Sequence, residues 1–356
     1  MKYKTYALDE LVQIKYGKNQ KKVLSEEGTI PIYGTGGLMG YATEALYDKP
    51  SVLIGRKGTI GKVRYVDHPF WTVDTLFYTI VNTELVIPKY LFYLMSQMDL
   101  NAYNEGTTIP SLRTETLNRL EFDIPSIEEQ KEVLSYLEPI DDKIQLNTEI
   151  NKNLEQQAQT IFQERFQHHD NLPERWKTMT LADVSIMSAG GDKPNTISSQ
   201  KTSECQYPIY SNGISNDGLY GYSSDYKFDT ESVTVSARGT IGFVCLRHIP
   251  YTPIVRLVTL IPHTNLVSAK YLYLWLKSIP IHGTGTTQQQ LTVPDFRKTE
   301  IIVPSESEMR SFTDTVTPFY QQIWANQDES TKLADIRDSL LPKLMSGEID
   351  VSDIDL

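Results

Sequence analysis

Two short runs carry the residue types best suited to gripping a polar, anionic ligand. Arg56-Lys57-Gly58-Thr59-Ile60-Gly61 and Ala237-Arg238-Gly239-Thr240-Ile241-Gly242 share most of their letters in one order. An arginine offers a fork of donors that fits the O6/N7 edge of guanine, and lysine or threonine can bind phosphate. The candidate contacts are Arg56, Lys57 and Thr59 in the first run and Arg238 and Thr240 in the second. The competing reading is that the runs only shape a turn, their glycines supplying φ > 0. Lys18, Lys21 and Lys22 lie in a polar loop and could hold phosphate. Lys193 and Lys201 lie in the equivalent loop, and plain solvation explains such lysines equally well. Two further polar loops hold Thr107, Thr108 and Arg113, and Thr286, Thr287, Gln288, Gln289 and Gln290. Glutamine can bond N6 and N7 of adenine together. A polar loop that merely precedes a helix is the alternative.

Bond-making chemistry finds little support. Gly34-Thr35-Gly36-Gly37-Leu38-Met39-Gly40 misses the GxGxxG spacing, and a hairpin or loop explains it better than a phosphate cradle. Gly283-Thr284-Gly285-Thr286-Thr287 lacks the lysine of a P-loop. No Ser/His/Asp or Cys/His order repeats, and His168-His169 reads as exposed linker rather than a metal pair. The tail Asp350-Val351-Ser352-Asp353-Ile354-Asp355 lacks the glycine and distal glutamate of a calcium loop. No residue is assigned a catalytic or metal-binding role, and the chain reads as a binder. Cys205 and Cys245 form no framework, no apolar run reaches ~18 residues, and the first residues lack a signal-peptide stretch. A reduced, cytoplasmic protein is expected.

The elements that must position these residues occur twice. Ile30-Pro31-Ile32-Tyr33 returns as Tyr207-Pro208-Ile209-Tyr210. Pro88-Lys89-Tyr90-Leu91-Phe92-Tyr93-Leu94 returns as Ala269-Lys270-Tyr271-Leu272-Tyr273-Leu274-Trp275. Phe122-Asp123-Ile124-Pro125-Ser126 returns as Ile301-Ile302-Val303-Pro304-Ser305. At a repeat of roughly 180 residues the unit is too long for a solenoid and is a duplicated two-part module. Ser51-Val52-Leu53-Ile54 and Ser232-Val233-Thr234-Val235 read as strands running into the glycine turns. Residues 75–81 and 255–261 read as a second equivalent pair of strands, and 88–98 and 269–277 as short amphipathic helices.

A longer helix follows in each copy. Val133, Leu137, Ile140, Ile144, Asn147, Asn151, Leu154, Ala158 and Ile161 alternate by four and three, a heptad seam. The second copy gives Phe312, Val316, Phe319, Ile323, Asn326, Ser330, Leu333, Arg337 and Leu340. Matching seams suggest that the helices pack on each other, with Asn147 and Asn326 setting register. Each seam facing its own domain is the alternative. Pro139 and Pro318 correspond and should kink their helices. The first helix, over residues 126–162, would be ~55 Å long, about the span of 16 base pairs.

The net charge of −11 argues against nucleic acid until its distribution is read. Residues 1–124 carry 14 basic and 14 acidic side chains, and residues 167–303 carry 12 and 11. Residues 125–166 carry 4 and 9, and residues 304–356 carry 4 and 11. The acidity belongs to the helices, and a neutral domain can still present a basic face.

These residues together resemble the specificity subunits of type I restriction–modification systems, over essentially the whole chain. The resemblance rests on Ile-Pro-Ile-Tyr followed by the turn at residues 57–61, and on Ile124-Pro125-Ser126-Ile127-Glu128-Glu129-Gln130. It also rests on Ile140-Asp141-Asp142-Lys143-Ile144 and on Leu340-Leu341-Pro342-Lys343-Leu344-Met345-Ser346-Gly347-Glu348-Ile349. It implies an α+β chain of two target-recognition domains, at 1–124 and 167–303. They would be joined by antiparallel coiled-coil helices at 125–166 and, with the acidic tail, 304–356. Helix pairing would fall to Leu137, Ile140, Ile144, Asn147 and Leu154, and to Val316, Phe319, Ile323, Asn326 and Leu333. Each domain would read one half of a bipartite, asymmetric site in double-stranded DNA. Two adenine methyltransferase subunits would dock on the helices, and restriction/translocase subunits would add cleavage. S-adenosylmethionine, ATP and Mg would sit on those partners, with no cofactor bound by this chain. A protein–protein scaffold of duplicated peptide-binding domains is the alternative from another class.

Overall fold

The computed structural model describes residues 2–167, 172–283 and 289–349. Two compact units emerge, one of residues 1–147 with 328–356 and one of residues 148–327. Each contains one α+β domain and half of each long helix.

The first domain runs β1 (Lys4–Ala7), α1 (Leu8–Leu11), β2 (Val12–Tyr16), β3 (Ile30–Gly34), β4 (Gly37–Ala42) and β5 (Ser51–Gly55). It continues with β6 (Val63–Val66), β7 (Trp71–Thr72), β8 (Leu76–Val81), α2 (Pro88–Ser96), α3 (Thr114–Asn118) and β9 (Glu121–Ile124). The long helix α4 (Ile127–Phe166) follows. The second domain runs β10 (Lys177–Thr180), α5 (Leu181–Val184), β11 (Ser185–Ala189), β12 (Ile197–Ser198), β13 (Tyr207–Tyr210) and β14 (Leu219–Ser223). Then come β15 (Ser232–Val235), β16 (Val244–Arg247), β17 (Thr252–Pro253), β18 (Val258–Pro262), α6 (Ala269–Ser278), α7 (Val293–Phe296), β19 (Glu300–Val303) and α8 (Glu306–Ser346).

The two domains have one topology. An antiparallel sheet of order β2-β8-β5-β6 recurs as β11-β18-β15-β16. Its inner strands β5 and β15 are buried at every residue, which is why both read as unbroken apolar runs with small polar interruptions. Those interruptions are paired: Ser51 Oγ donates to the Thr79 carbonyl at 2.7 Å, and Ser232 Oγ lies 2.8 Å from the Tyr251 hydroxyl. A second sheet places β3 between β4 and a parallel β7, and β13 between β14 and a parallel β17. The first and last strands of each domain pair, Lys4 opposite Ile124 and Lys177 opposite Val303. Each domain therefore starts and ends at the foot of a long helix.

Both long helices begin on the same device. Ser126 N donates to the Glu129 carboxylate at 3.0 Å and Glu129 N returns a bond to Ser126 Oγ at 3.3 Å. Ser305 and Glu308 repeat it. This is a capping box, and it explains the Ser-x-x-Glu spacing of the repeated motif. Buried Gln130 accepts from Ile87 N at 2.8 Å and donates to the carbonyls of Leu85 and Pro125. It fixes α2 on the first turn of α4.

The helices pair antiparallel within each unit. In the first, Arg337 bonds Asp141 at 2.8 Å, Lys143 meets Glu329 at 3.2 Å, and Asn147 donates to Glu329 at 2.8 Å and to Ser330 at 3.2 Å. In the second, Asn326 donates to Asn151 at 2.8 Å, and Phe312 packs on Phe162 and Phe166. The two readings of the seam do not exclude each other. Val133 and Leu137 join the core of the first domain, and Val316 and Ile323 that of the second, while the polar middle links helix to helix. Both prolines, 139 and 318, lie inside unbroken helix.

One expected element starts late. The strand expected from Val255 begins at Val258, because Val255 and Arg256 take left-handed backbone with φ of 52° and 61°. The pair forms a turn instead, closed by Leu257 N donating to the Ile254 carbonyl at 3.1 Å. Among the described residues no helix is long and apolar enough to cross a membrane.

Candidate nucleic-acid interface

In the first domain, four loops far apart in sequence meet at one corner. The run after β5 donates Arg56 N and Lys57 N to the Thr75 carbonyl, at 2.9 and 3.2 Å. It also meets the loop before α3: Gly58 N bonds the Pro110 carbonyl at 2.9 Å, and Leu112 N bonds the Arg56 carbonyl at 2.9 Å. The β3–β4 turn adjoins through Thr35, whose hydroxyl stands beside Gly58. The segment after β2 joins through Lys18 N, which donates to the Thr72 carbonyl at 2.8 Å. Gly58 has a φ of 85°, the left-handed backbone that makes a glycine necessary there.

The candidate side chains at this corner differ in freedom. Arg56 is half-buried: Nη1 donates to the Asp74 carbonyl at 2.9 Å and the guanidinium lies 4.9 Å from the centre of the Tyr16 ring. Lys18, Lys57, Thr59, Thr107 and Thr108 are exposed. Arg113 is exposed but held by Glu105 at 3.1 Å, which offsets its charge. Asn104 Oδ1 accepts from Gly106 N and Ser111 N, both at 2.9 Å, so the loop carrying the two threonines is pinned at its base. Sequence reasoning missed Arg64, exposed beside Gly37 with its guanidinium 5.1 Å from the Tyr33 ring centre.

The second domain builds the same corner with other side chains. Leu291 N bonds the Ala237 carbonyl at 2.9 Å, repeating the Leu112–Arg56 bond. Exposed Arg238 donates through Nη2 to Gln290 Oε1 at 3.0 Å, so two predicted residues meet directly. Gln289 is exposed, whereas Thr286, Thr287 and Gln288 lie outside the described residues, as do His168 and His169. Asn212 staples the corner: Oδ1 accepts from Ala237 N at 2.7 Å and Nδ2 donates to the Val255 carbonyl at 2.6 Å. Lys193 follows Gly190 and Gly191, which bond the turn at Val255–Leu257, and its ammonium lies 4.3 Å above the Tyr220 ring.

Some predicted residues stand elsewhere. The Thr240 hydroxyl is enclosed, because the tight turn from Arg238 to Gly242 folds it inward, so it does not present a surface donor as exposed Thr59 does. Lys21 and Lys22 lie next to Val23, which bonds Thr43 at the open end of the β3–β4 hairpin, away from its turn. Lys201 follows β12, which pairs with the corresponding end of β14. Asn212 and Arg256 were missed. Asn212 was legible only as part of a polar turn, and nothing in Val-Arg-Leu announces a left-handed pair.

The corners offer arginine, lysine, threonine and glutamine on loops set by rigid sheets. Among the described residues no group of His, Cys, Asp or Glu could hold a metal ion.

Comparison with known proteins matches this duplication. The family model for the type I restriction modification DNA specificity domain fits residues 1–156 and again residues 173–334. The specificity subunit of the MjaIX type I restriction enzyme of Methanocaldococcus jannaschii is 25% identical, over 87% of this chain and 80% of its own. The HindI specificity subunit of Haemophilus influenzae is also 25% identical, over 81% of this chain and 84% of its own. The crystal structure of a type I restriction–modification S subunit from M. genitalium superposes with a TM-score of 0.60. It covers 97% of this chain and 96% of that one, at 18% identity, and shares the fold. The chain belongs to the type I restriction–modification DNA specificity family, with one copy of that domain in each half.

Proposed function

We propose that this chain is the non-catalytic address subunit of a type I modification complex, each domain reading one half of a split DNA site through the corner described above. The supporting observation is that the corner is built twice on the same backbone bonds, Leu112 to Arg56 and Leu291 to Ala237, and filled with different polar side chains. A shared frame places both readers equivalently, and different contents select different bases. The target is thus bipartite and asymmetric. The acidic helices repel phosphate and suit protein partners. They dock two adenine methyltransferase subunits and, where present, restriction/translocase subunits, all acting on DNA in the cytoplasm. S-adenosylmethionine, ATP and Mg belong to those partners.

The test is a genome-wide map of adenine methylation in the native host and in a strain lacking this gene. Loss of one split motif, two short half-sites around a fixed gap, is the expected result. Survival of every methylated motif while the methyltransferase is expressed would refute the proposal and favour a protein scaffold.

A further inference from the structure

The two corners differ in where their arginines stand. In the first domain β5 leads into Arg56, which bonds the Thr75 carbonyl through its N–H. In the second domain the position of Arg56 is Ala237, and the position of Thr75 is Arg256. The alignment is fixed by structure: Leu76 N donates to the Val73 carbonyl and the Leu76 carbonyl accepts from Gly17 N, as Leu257 N donates to the Ile254 carbonyl and the Leu257 carbonyl accepts from Gly190 N. The second domain thus has no arginine at the Arg56 position, although Arg238 follows it, and carries a further arginine at the Thr75 position.

The backbone at Arg256 is unusual. Val255 and Arg256 both have positive φ, whereas Asp74 and Thr75 do not. A turn with two left-handed central residues is the territory of Asn, Asp and Gly, and a β-branched residue there is a steric outlier. The surroundings hold it. Val255 N donates to Gly191, Arg256 N to Gly190, each at 2.9 Å, and Gly190 N to Leu257 at 2.8 Å. Asn212 grips the Val255 carbonyl at 2.6 Å and, at its other end, the run that begins at Ala237. Strain maintained this way points to a use for the side chain it displays. Arg256 is exposed, and none of the described residues forms a hydrogen bond or ion pair with its guanidinium. Arg56, by contrast, is tied to Asp74 and Tyr16.

We propose that Arg256 is a specificity residue of the second domain, pairing its guanidinium with a two-acceptor base edge of the guanine type in the major groove. The proposal rests on the DNA-recognition reading above. Its consequence is a half-site in which one base is read from the β17–β18 turn, beside whatever Arg238 contacts from the end of β15.

The test replaces the host gene with an Arg256→Asn allele, since asparagine tolerates the left-handed turn, and maps adenine methylation again. Binding of the assembled complex to the native motif and to single-base variants is measured alongside. One base pair of one half-site should become degenerate, with affinity for the native motif lower by about 10- to 100-fold. The other half-site and the gap should be unchanged. Arg256→Lys, which keeps charge and turn, should bind closer to wild type yet lose the base preference, and it decides the matter if the asparagine variant fails to fold. Unchanged base preference in the folded variant overturns the proposal. So does equal weakening on every duplex with the salt slope reduced by about one, the mark of a phosphate contact. A wild-type complex without any base preference overturns this proposal together with the DNA-recognition reading.

Discussion

The two halves of this chain share a frame and differ in what fills it, and the difference has opposite character at the two ends of each domain. At the foot, where the domain meets the long helices, only the packing changes. Tyr90 shares a buried core with Val133, Leu341 and Met345 in the first unit, while Tyr271 packs against Phe162, Phe166 and Phe312 in the second. The second foot is a cluster of edge-to-face rings, Phe166 standing 5.1 Å from Tyr271 and 5.2 Å from Phe312. The anchoring carboxylate also moves, from Asp141, which takes Tyr93 and Arg337, to Glu155, which takes Tyr273 and Lys277. Both solutions bury the same faces, so the exchange leaves the frame intact. At the corner the changes alter what is displayed: Arg56 becomes Ala237, Lys57 becomes Arg238, Asp74 becomes Val255 and Thr75 becomes Arg256. Variation at the foot preserves a surface, and variation at the corner changes one.

That contrast can be broken at the foot first. Phe312→Ala removes a fully buried ring and should cost about 3–5 kcal/mol. In denaturant unfolding of the full chain, the tryptophans of the second unit, Trp176, Trp275 and Trp324, should report the loss ahead of Trp71 in the first. Simultaneous loss at all four would show that the units do not unfold separately.

Gly17→Ala attacks the corner through its backbone. A Cβ there would stand 2.0 Å from the Val73 carbonyl oxygen, so the strand must shift, at a cost of about 1–3 kcal/mol. Recognition by the first half-site should fall while the second keeps its sequence preference, read from the methylated motif.

Side-chain removal at the corner is milder for the fold. Arg238→Ala should leave the melting temperature near wild type, since Arg238 is exposed, and weaken one half-site by about 1–3 kcal/mol. Competition binding with duplexes altered in either half measures this.

The smallest effect lies in the helix pair. Hydrogen bonds from Asn147 and then Lys143 hold the Glu329 carboxyl below the ordinary glutamate range, and those from Ser126 do the same for Glu129. A carboxyl so lowered contributes stability that is present above the unfolded value of about 4.3 and is lost as pH falls through its folded value. Acid melts should show Glu329→Gln less sensitive than wild type below about pH 4.5. An identical pH profile would remove Glu329 from the account.

Much of the frame was legible in the sequence because it is set by short-range pattern. The duplication, the buried strands at Ser51 and Ser232, the glycine turns and the heptad seams all follow from spacing that a reader can count. The corners were legible only in part. Their loops were recognisable as polar, but their meeting depends on bonds between residues some 50 positions apart, such as Leu112 to Arg56. Val255-Arg256-Leu257-Val258 continues a strand-like apolar pattern, so its left-handed turn carries no local signal. Thr59 and Thr240 share a motif, and only tertiary folding encloses one hydroxyl and exposes the other. Composition also misled at first, because the helices hold the negative charge and the domains, which do the reading, are near neutral.

The central claim is that two independent readers sit on one repeated frame. It is tested most directly by selecting duplexes from a randomised pool with the chain assembled with its partner subunits, for wild type and for Arg56→Ala. The account predicts a split motif for wild type, and for the variant a relaxed base preference in one half only, with the other half and the gap retained. Equal relaxation of both halves, or a contiguous motif without a gap, would contradict it.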